Sequence, residues 1–392
     1  MAVNLTNADS ALKSVYLDVI SEQLNSKVNP FLSAIEKSTN DVWGKEVKKL
    51  AVYGMNGGVG AGTEDGDLPM ASGNNYGQFV TTLKNLYGVI EISDKAIRAS
   101  ENNSGAFVSL LTAEMEGLIK SSTFNFGRML FGDGSGILSK VDSIYEDMII
   151  VSNPQNFIEG MIIDFRSPDG QLLSGVGTRK VTKVNRGLNT INISGVPVTE
   201  TQVPEGTIIT VQGSYQNEIT GLGALFDMER PTLYGLNRQE NTWLTPFVYE
   251  DCGVLTENVI QTVLDGIEEN SGSQVNFIMC SWGVRRALQN EFSSNRRLFD
   301  TMELAGGYKT ISYNGIPIVA DRFCPTGTMY LLNTDDFMLH QLCDWQWLTG
   351  DDGRVLKQVP GKPVYSATLV KYADLICSRP NGQGIITGID EM

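Results

Sequence analysis

The chain has 392 residues, 41% hydrophobic and 19% charged, which suffices for two or three structural units of roughly 150 residues and excludes wholesale disorder. A formal net charge of -15 and a pI near 4.6 disfavour broad attraction to phosphate backbones or anionic membranes. Five scattered cysteines form no Cys-x-x-Cys pair, no secretion leader opens the chain and no run approaches the roughly 20 apolar residues of a spanning helix. Reduced, mostly buried thiols in a cytosolic protein are the expectation.

Asp9 or Ser10 can cap a first helix whose apolar residues Leu12, Val15, Tyr16, Val19 and Ile20 fall on one face. That stripe either packs on its own domain or needs a partner surface. Pro30 ends the run and opens a second short helix carrying Phe31, Leu32 and Ile35. Two β-prone runs, Val42 to Tyr53 and Gln78 to Ile92, read as the arms of a hairpin. Between them lies a glycine-punctuated tongue, Gly54 to Gly77, far longer than the two to five residues usual for a hairpin loop. Such a segment cannot bury itself on its own strands, so it stays disordered or finds order on another molecule.

Ser104 can cap a long helix to Phe131, with Phe107, Leu110, Met115, Ile119, Phe126 and Met129 near a 3.6 period. At 1.5 Å per residue this spine spans about 40 Å, and Gly132-Asp133-Gly134-Ser135-Gly136 stops it. From Tyr145 to Gln216 the texture becomes short alternating runs separated by Pro-Asp-Gly, Asn-Arg-Gly and Pro-Glu-Gly turns, a small all-β module within a larger α+β body. Beyond Gly221 the pattern predicts helices over Leu255 to Glu269 and Trp282 to Gln289, with strands at Val275 to Met279, Ile316 to Asp321, Thr328 to Leu332, Phe337 to Leu342 and Ser366 to Cys377.

The search for chemistry returns little. His340 is the sole histidine and sits in an apolar strand, where it reads as a packed or hydrogen-bonded residue. The glycines from Gly57 to Gly62 lack the helix start that a phosphate-binding loop needs behind it. Glu64, Asp65 and Asp67 miss the calcium-loop spacing, and read as a solvated acidic tip able to meet Lys or Arg on a neighbouring subunit. No catalytic residue, cofactor or metal is expected.

Taken in order, these elements resemble the major capsid proteins of tailed phages, with the Hong Kong 97-type fold. The spine ending in Met129-Leu130-Phe131-Gly132-Asp133-Gly134 is similar to the family's turn at that point. Phe277 to Cys280 leading into Trp282 to Leu288, Gly315-Ile316-Pro317-Ile318-Val319, and Tyr372 to Pro380 resemble the axial strand and helix, a Gly-x-Pro-Val-Val strand and the closing peripheral strand. The resemblance implies an N-terminal arm (1–41), an E-loop hairpin (42–92), a peripheral domain with the spine (93–143), an inserted β domain (144–217), an axial domain with peripheral strands (218–362) and a C-terminal return to the peripheral domain (363–392).

It also implies a non-enzymatic shell of pentamers and hexamers, made in the bacterial cytoplasm, enclosing double-stranded DNA without sequence-specific or membrane binding. A portal and a decoration protein are family partners. Because the chain begins almost at the arm, a separate scaffolding protein is expected. No lysine lies between Lys49 and Lys84, so covalent cross-linking from the E-loop is not expected. Inter-subunit contacts are expected at Leu12, Tyr16 and Ile20 in the arm and at Gly58, Glu64, Asp65, Asp67 and Tyr76 in the tongue. An encapsulin-like compartment and a ligand-binding β-module protein remain the alternatives.

Overall fold

A computed structural model of the chain describes residues 29–54, 56–96, 104–294, 301–303, 309–350 and 353–391. The first expected helix, with Leu12, Tyr16 and Ile20, lies outside them. Asn29 caps α1 (Pro30–Ala34), accepting from the amides of Phe31 at 3.0 Å and Leu32 at 3.2 Å, while Pro30 at the first position has no amide to leave unpaired. Phe31 and Leu32 are buried, Phe31 edge-on to Phe337 at 5.3 Å.

The short strand β1 (Glu36–Ser38) leads to β2 (Val42–Trp43), β3 (Glu46–Gly54) and β4 (Asn75–Thr82), which form a three-stranded antiparallel sheet. The expected single second arm breaks at Leu83: this residue is buried and its amide donates to the Lys45 carbonyl at 3.0 Å, closing the hairpin. The chain continues as β5 (Lys84–Ser93), which leaves the hairpin for another sheet. Its inward residues Leu86, Gly88, Ile90 and Ile92 alternate with exposed ones and pack toward α2 (Ser104–Met129). A Cβ on Gly88 would come within 2.8 Å of Leu118 on that helix, so glycine lets sheet and spine approach closely.

Directly after the spine, β6 (Ile137–Tyr145), β7 (Met148–Val151), β8 (Ile162–Arg166), β9 (Arg179–Asn185), β10 (Thr190–Ile193) and β11 (Ile208–Val211) close into a barrel in the order β10-β7-β6-β11-β8-β9. The barrel starts at Ile137, ahead of the boundary expected at residue 144. The extra length is most of β6, which bridges β7 and β11 and without which those two strands would be open edges. Val141, Ile149, Ile163, Phe165, Val181 and Ile209 are buried and fill its interior.

The body follows with α3 (Leu222–Phe226), β12 (Thr232–Leu233), β13 (Leu236–Asn237), β14 (Phe247–Tyr249), α4 (Glu257–Ser271), β15 (Phe277–Cys280), α5 (Trp282–Ser294), β16 (Thr301–Glu303), β17 (Lys309–Tyr313), β18 (Ile316–Ala320), β19 (Met329–Leu332), β20 (Phe337–Trp347), β21 (Lys357–Gln358), β22 (Val364–Cys377) and β23 (Gly384–Ile386). Strands β14-β23-β19-β15-β18-β17-β16 make a seven-stranded sheet, and β22 joins β5, β20 and β21 in a second sheet bordered by parallel β1. After the turn at Pro380–Gly382, β23 inserts between β14 and β19, so residues 363–392 contribute strands to both sheets.

Alternation on the seven-stranded sheet separates two cores. Ile278, Cys280, Met329 and Leu331 face α4 and α5 through Ile260, Val263, Val284 and Leu288. Phe277, Met279, Tyr330 and Leu332 face the larger core, where Tyr330 meets Phe131 and Phe226. Spine and barrel exit are tied by Arg128 and Glu218, both buried, with Nη1 to Oε2 at 2.9 Å in a two-pronged pair. Removing one partner of such a pair strands the other charge. We expect Glu218→Ala to lower unfolding free energy by about 3–5 kcal/mol in urea titration, and the double variant Arg128→Met/Glu218→Leu to recover most of it. A single-variant loss below about 1 kcal/mol would show that the pair does not hold this junction.

Candidate assembly interface

The hairpin of β3 and β4 pairs from Glu46 opposite Thr82 to Gly54 opposite Asn75, and parity assigns each residue a face. The inward face carries Val47, Ala51 and Phe79, all buried. Tyr53 on the same face stacks flat on Trp243, with centroids 5.0 Å apart and planes 2° apart, and Phe79 lies 5.5 Å from Trp243 and 5.2 Å from Tyr234. A Cβ on Gly77 would come within 2.9 Å of the Trp243 ring, and the Val80 amide donates to the Tyr234 carbonyl at 2.9 Å. The stem is thus seated on residues 234–243, although the loop beyond it touches little.

The outward face and the loop hold apolar residues with no cover. Leu50 is 62% exposed, Val52 61% and Tyr76 55%, while Val59, Leu68 and Met70 reach 88%, 90% and 89%. Folded monomers seldom leave such a cluster in water unless it meets another surface. Of the expected contact residues, the fold brings Gly58, Glu64, Asp65 and Asp67 together in the loop and sets Tyr76 opposite Val52 at the stem. The Gly58 amide donates to Asn56 Oδ1 at 2.8 Å, and the Gly66 amide closes a turn on the Thr63 carbonyl at 3.1 Å, which displays Glu64 and Asp65. None of the three carboxylates has an ion-pair partner among the described residues, nor is there a group of three metal-ligating side chains among those residues.

Sequence reasoning missed Trp243 and Tyr234, whose role depends on contacts with Tyr53 and Phe79 far away in the chain that no local pattern encodes. Leu50 and Val52 were legible in principle, since they share parity opposite to Val47 and Ala51.

Burial dominates the shifts of several titratable side chains elsewhere. His340 is fully buried, neither ring nitrogen has a hydrogen-bond partner, and burial together with nearby Lys49 pushes its imidazole down to about 4 against a weak pull from Asp41. Asp321 accepts from the Phe323 amide at 2.8 Å, yet burial raises its carboxyl to about 6. All five cysteines are free; Cys280, Cys324 and Cys377 are buried, and burial raises each of their thiols. A thiolate nucleophile is disfavoured there. Trp345 and Trp347 are buried core residues, Trp345 edge-on to Phe126. No helix among the described residues is long and apolar enough to cross a membrane.

No family model and no curated protein matches the chain. Among solved structures, the chain is similar to one in the capsid asymmetric unit of cyanophage A-1(L), at 12% identity over 96% of this chain and 93% of that one, with a TM-score of 0.56. A chain of an encapsulin complex from Synechococcus elongatus PCC 7942 aligns at 11% identity over 93% and 89%, TM-score 0.47. A chain of Mycobacterium phage Bobi aligns at 8% identity over 100% of both, TM-score 0.46. The cyanophage likeness defines the fold: a mixed α+β, Hong Kong 97-type capsid fold extending over nearly the whole chain.

Two outcomes follow for this region and its core. Trp243→Ala removes the plate on which Tyr53 and Phe79 rest, so amide exchange should rise by at least tenfold across Glu46–Gly54 and Asn75–Thr82 while the barrel strands stay protected; unchanged exchange in the stem would refute the seating.

The pH response has two opposed parts. Between pH 6.5 and about 4 the unfolded chain binds the His340 proton that the folded chain refuses, so stability falls as pH falls. Between about 6 and 3.8 the folded chain takes up the Asp321 proton first, so stability rises as pH falls. Each is on the order of 3 kcal/mol and the two act in opposite directions, alongside the raised carboxyls of Asp336 and Asp374 and the lowered one of Asp344. His340→Gln should therefore make the protein relatively more stable at pH 4.5 than at pH 7, and Asp321→Asn relatively less, by thermal unfolding; three parallel pH curves would refute both assignments.

Proposed function

We propose that this chain is the major capsid protein of a tailed phage, a structural, non-catalytic subunit that self-assembles into the pentamers and hexamers of an icosahedral head around double-stranded DNA. The observation that carries this reading is the tongue: a firmly seated stem bearing exposed apolar residues and three unpaired carboxylates, in a chain whose fold matches a phage capsid chain almost end to end. A closed shell made by head-to-tail contacts needs every subunit to offer a projection and to receive one. In this reading β3, β4 and their loop are the E-loop, α2 is the spine of a peripheral domain with the β5-β22-β20 sheet, the seven-stranded sheet is the axial domain, and the barrel is an insertion.

The same reading places the protein in the virion after synthesis in the bacterial cytoplasm, working with a separate scaffolding protein and a portal, and with room for a decoration protein. Gly58, Glu64, Asp65, Asp67 and Tyr76 then lie against an adjacent subunit. The filled interior of the barrel disfavours the alternative of a ligand-binding module.

The test is assembly. Expressed with and without the neighbouring gene products, the chain should give closed shells or capsomers by negative-stain electron microscopy. Replacing residues 56–73 with a two-residue Asn-Gly turn, which preserves the β3–β4 register, should abolish closed shells while shifting the melting temperature by less than about 2 °C, because the loop buries little of its own chain. Normal shells from the truncated chain would overturn the assembly role of the tongue. Isolated shells packed with an enzyme, lacking a portal vertex, would favour the encapsulin reading.

A further inference from the structure

The sequence contains three Asn-Gly pairs, Asn56-Gly57, Asn314-Gly315 and Asn381-Gly382. In such a pair the glycine nitrogen can attack the preceding carboxamide with little hindrance, because no Cβ blocks the approach and the backbone is free to turn. The fold gives the three pairs different surroundings. At Asn381 the attacking atom is engaged: the Gly382 amide donates to the Arg379 carbonyl at 3.1 Å, and Gly382 is buried so closely that a Cβ would lie 2.8 Å from Ser273. Asn314 sits in the two-residue turn between β17 and β18, where Tyr313 pairs with Ile316, and its φ is 50°. Its Nδ2 donates to Gln261 Oε1 at 3.4 Å. Ring closure there needs a backbone rotation that breaks the hairpin turn.

Asn56 is placed the other way. It and Gly57 are exposed, lie beyond the end of β3 at Gly54, and the Gly57 amide has no hydrogen-bond partner among the described residues. Asn56 Oδ1 accepts from the Gly58 amide at 2.8 Å. That bond folds the carboxamide back across the peptide whose nitrogen is the attacking atom. It also aims a donor at the oxygen on which negative charge develops during the attack.

We infer that Asn56 is a self-modifying site, at which the free subunit converts its own asparagine to aspartate and isoaspartate. The Gly57 nitrogen bonds to Asn56 Cγ, the Cγ–Nδ2 bond breaks, and Nδ2 leaves as ammonia carrying the proton that the Gly57 nitrogen gives up. The product is a five-membered succinimide. Water then opens the ring at either carbonyl, yielding aspartate or isoaspartate, so the net change is water taken up and ammonia released. Either product adds a carboxylate to a tongue that already holds Glu64, Asp65 and Asp67. Isoaspartate also moves one methylene from the side chain into the main chain, lengthening the tongue at its root. A tongue covered in a shell is shielded from this chemistry, so the modification marks subunits that stayed free. That last step rests on the self-assembly reading; the chemistry at Asn56 does not.

The experiment incubates the full chain in mildly alkaline buffer, folded and in urea, and follows the three Asn-Gly pairs by peptide mass spectrometry. Conversion adds about 1 Da at the asparagine and splits the peptide into two chromatographic forms. Asn56 should react in the folded chain at least as fast as in urea, whereas Asn314 and Asn381 should be slowed at least tenfold by folding. Asn56→Gln, whose longer side chain closes the ring poorly, should remove the gain at that position without changing the melting temperature. A folded chain in which Asn56 is slower than in urea, or in which either other pair keeps pace with it, overturns the site. In assembled particles Asn56 should be protected at least tenfold relative to the free chain. Particles without that protection overturn the marking of free subunits and leave the chemistry standing. A chain that forms no particles with its neighbouring gene products overturns the shell reading, and the marking with it, while the folded-against-urea comparison still decides the site.

Discussion

The carboxylate of Asp374 is fully buried where three remote segments cross, and the rest of the molecule is arranged around keeping it satisfied. It sits on β22, accepts from Thr81 Oγ1 on the tongue stem, and accepts from the Thr220 amide at 2.7 Å and the Thr220 hydroxyl at 3.3 Å where the chain leaves the barrel. Its neighbour's amide, Leu375, adds a fourth bond at 3.0 Å. Burial pushes the carboxyl above its ordinary range, and these donors pull it back. An acid removed from water without donors is among the costliest defects a core can hold, so stem, barrel exit and long strand must arrive together or not at all. Two residues before Thr220, Glu218 fastens the same crossing to the spine through Arg128, which makes the junction one cooperative unit.

This crossing also governs order of events. Thr81 and Asp374 are 293 residues apart, and β23, which completes the interior of the seven-stranded sheet, lies close to the end of the chain. Contacts of such sequence separation form late, because loop closure must be met before they contribute. The stem of the tongue is therefore held both by residues 234–243 and by a contact 293 residues away in sequence.

Local pattern carried much of the architecture. The stripe through Met115, Ile119, Phe126 and Met129 set the spine to within two residues of its observed end, and alternation with glycine turns marked Tyr145 to Gln216 as all-β, the span in which β7 to β11 lie. What escaped was pairing. Gln78 to Ile92 reads as a single strand because hydrophobicity does not lapse at Leu83; only the amide bond to Lys45 and the ten-residue ladder to β22 reveal two strands in different sheets. Likewise β6 follows the spine's glycine turn so closely that it reads as the tail of the helical unit, and β23 is three residues whose strand character comes from the neighbours on either side. At the candidate interface the acidic trio was visible as composition, whereas Trp243 gained meaning only from the ring that lies flat upon it.

Rigidity and exposure are divided along the tongue in a way that serves recognition. The stem is held by aromatic stacking, a ladder of backbone bonds and the Thr81 bond to Asp374, so the direction in which the loop projects is fixed by the core. Beyond Gly54 the loop has only local turns, and its side chains lie in water. Holding the base lowers the conformational entropy that must be lost when the tip meets a surface, while the unsatisfied tip leaves apolar area whose burial can drive the contact. Net negative charge keeps free copies apart, acting over roughly 8 Å at physiological salt, and apolar burial acts only at contact. In the proposed shell, two copies would gain from meeting only in a register that covers the tongue, and generic collision would not be rewarded. On that proposal, this separation of a long-range repulsion from a short-range, positioned attraction makes the seated stem more consequential than the loop's own sequence.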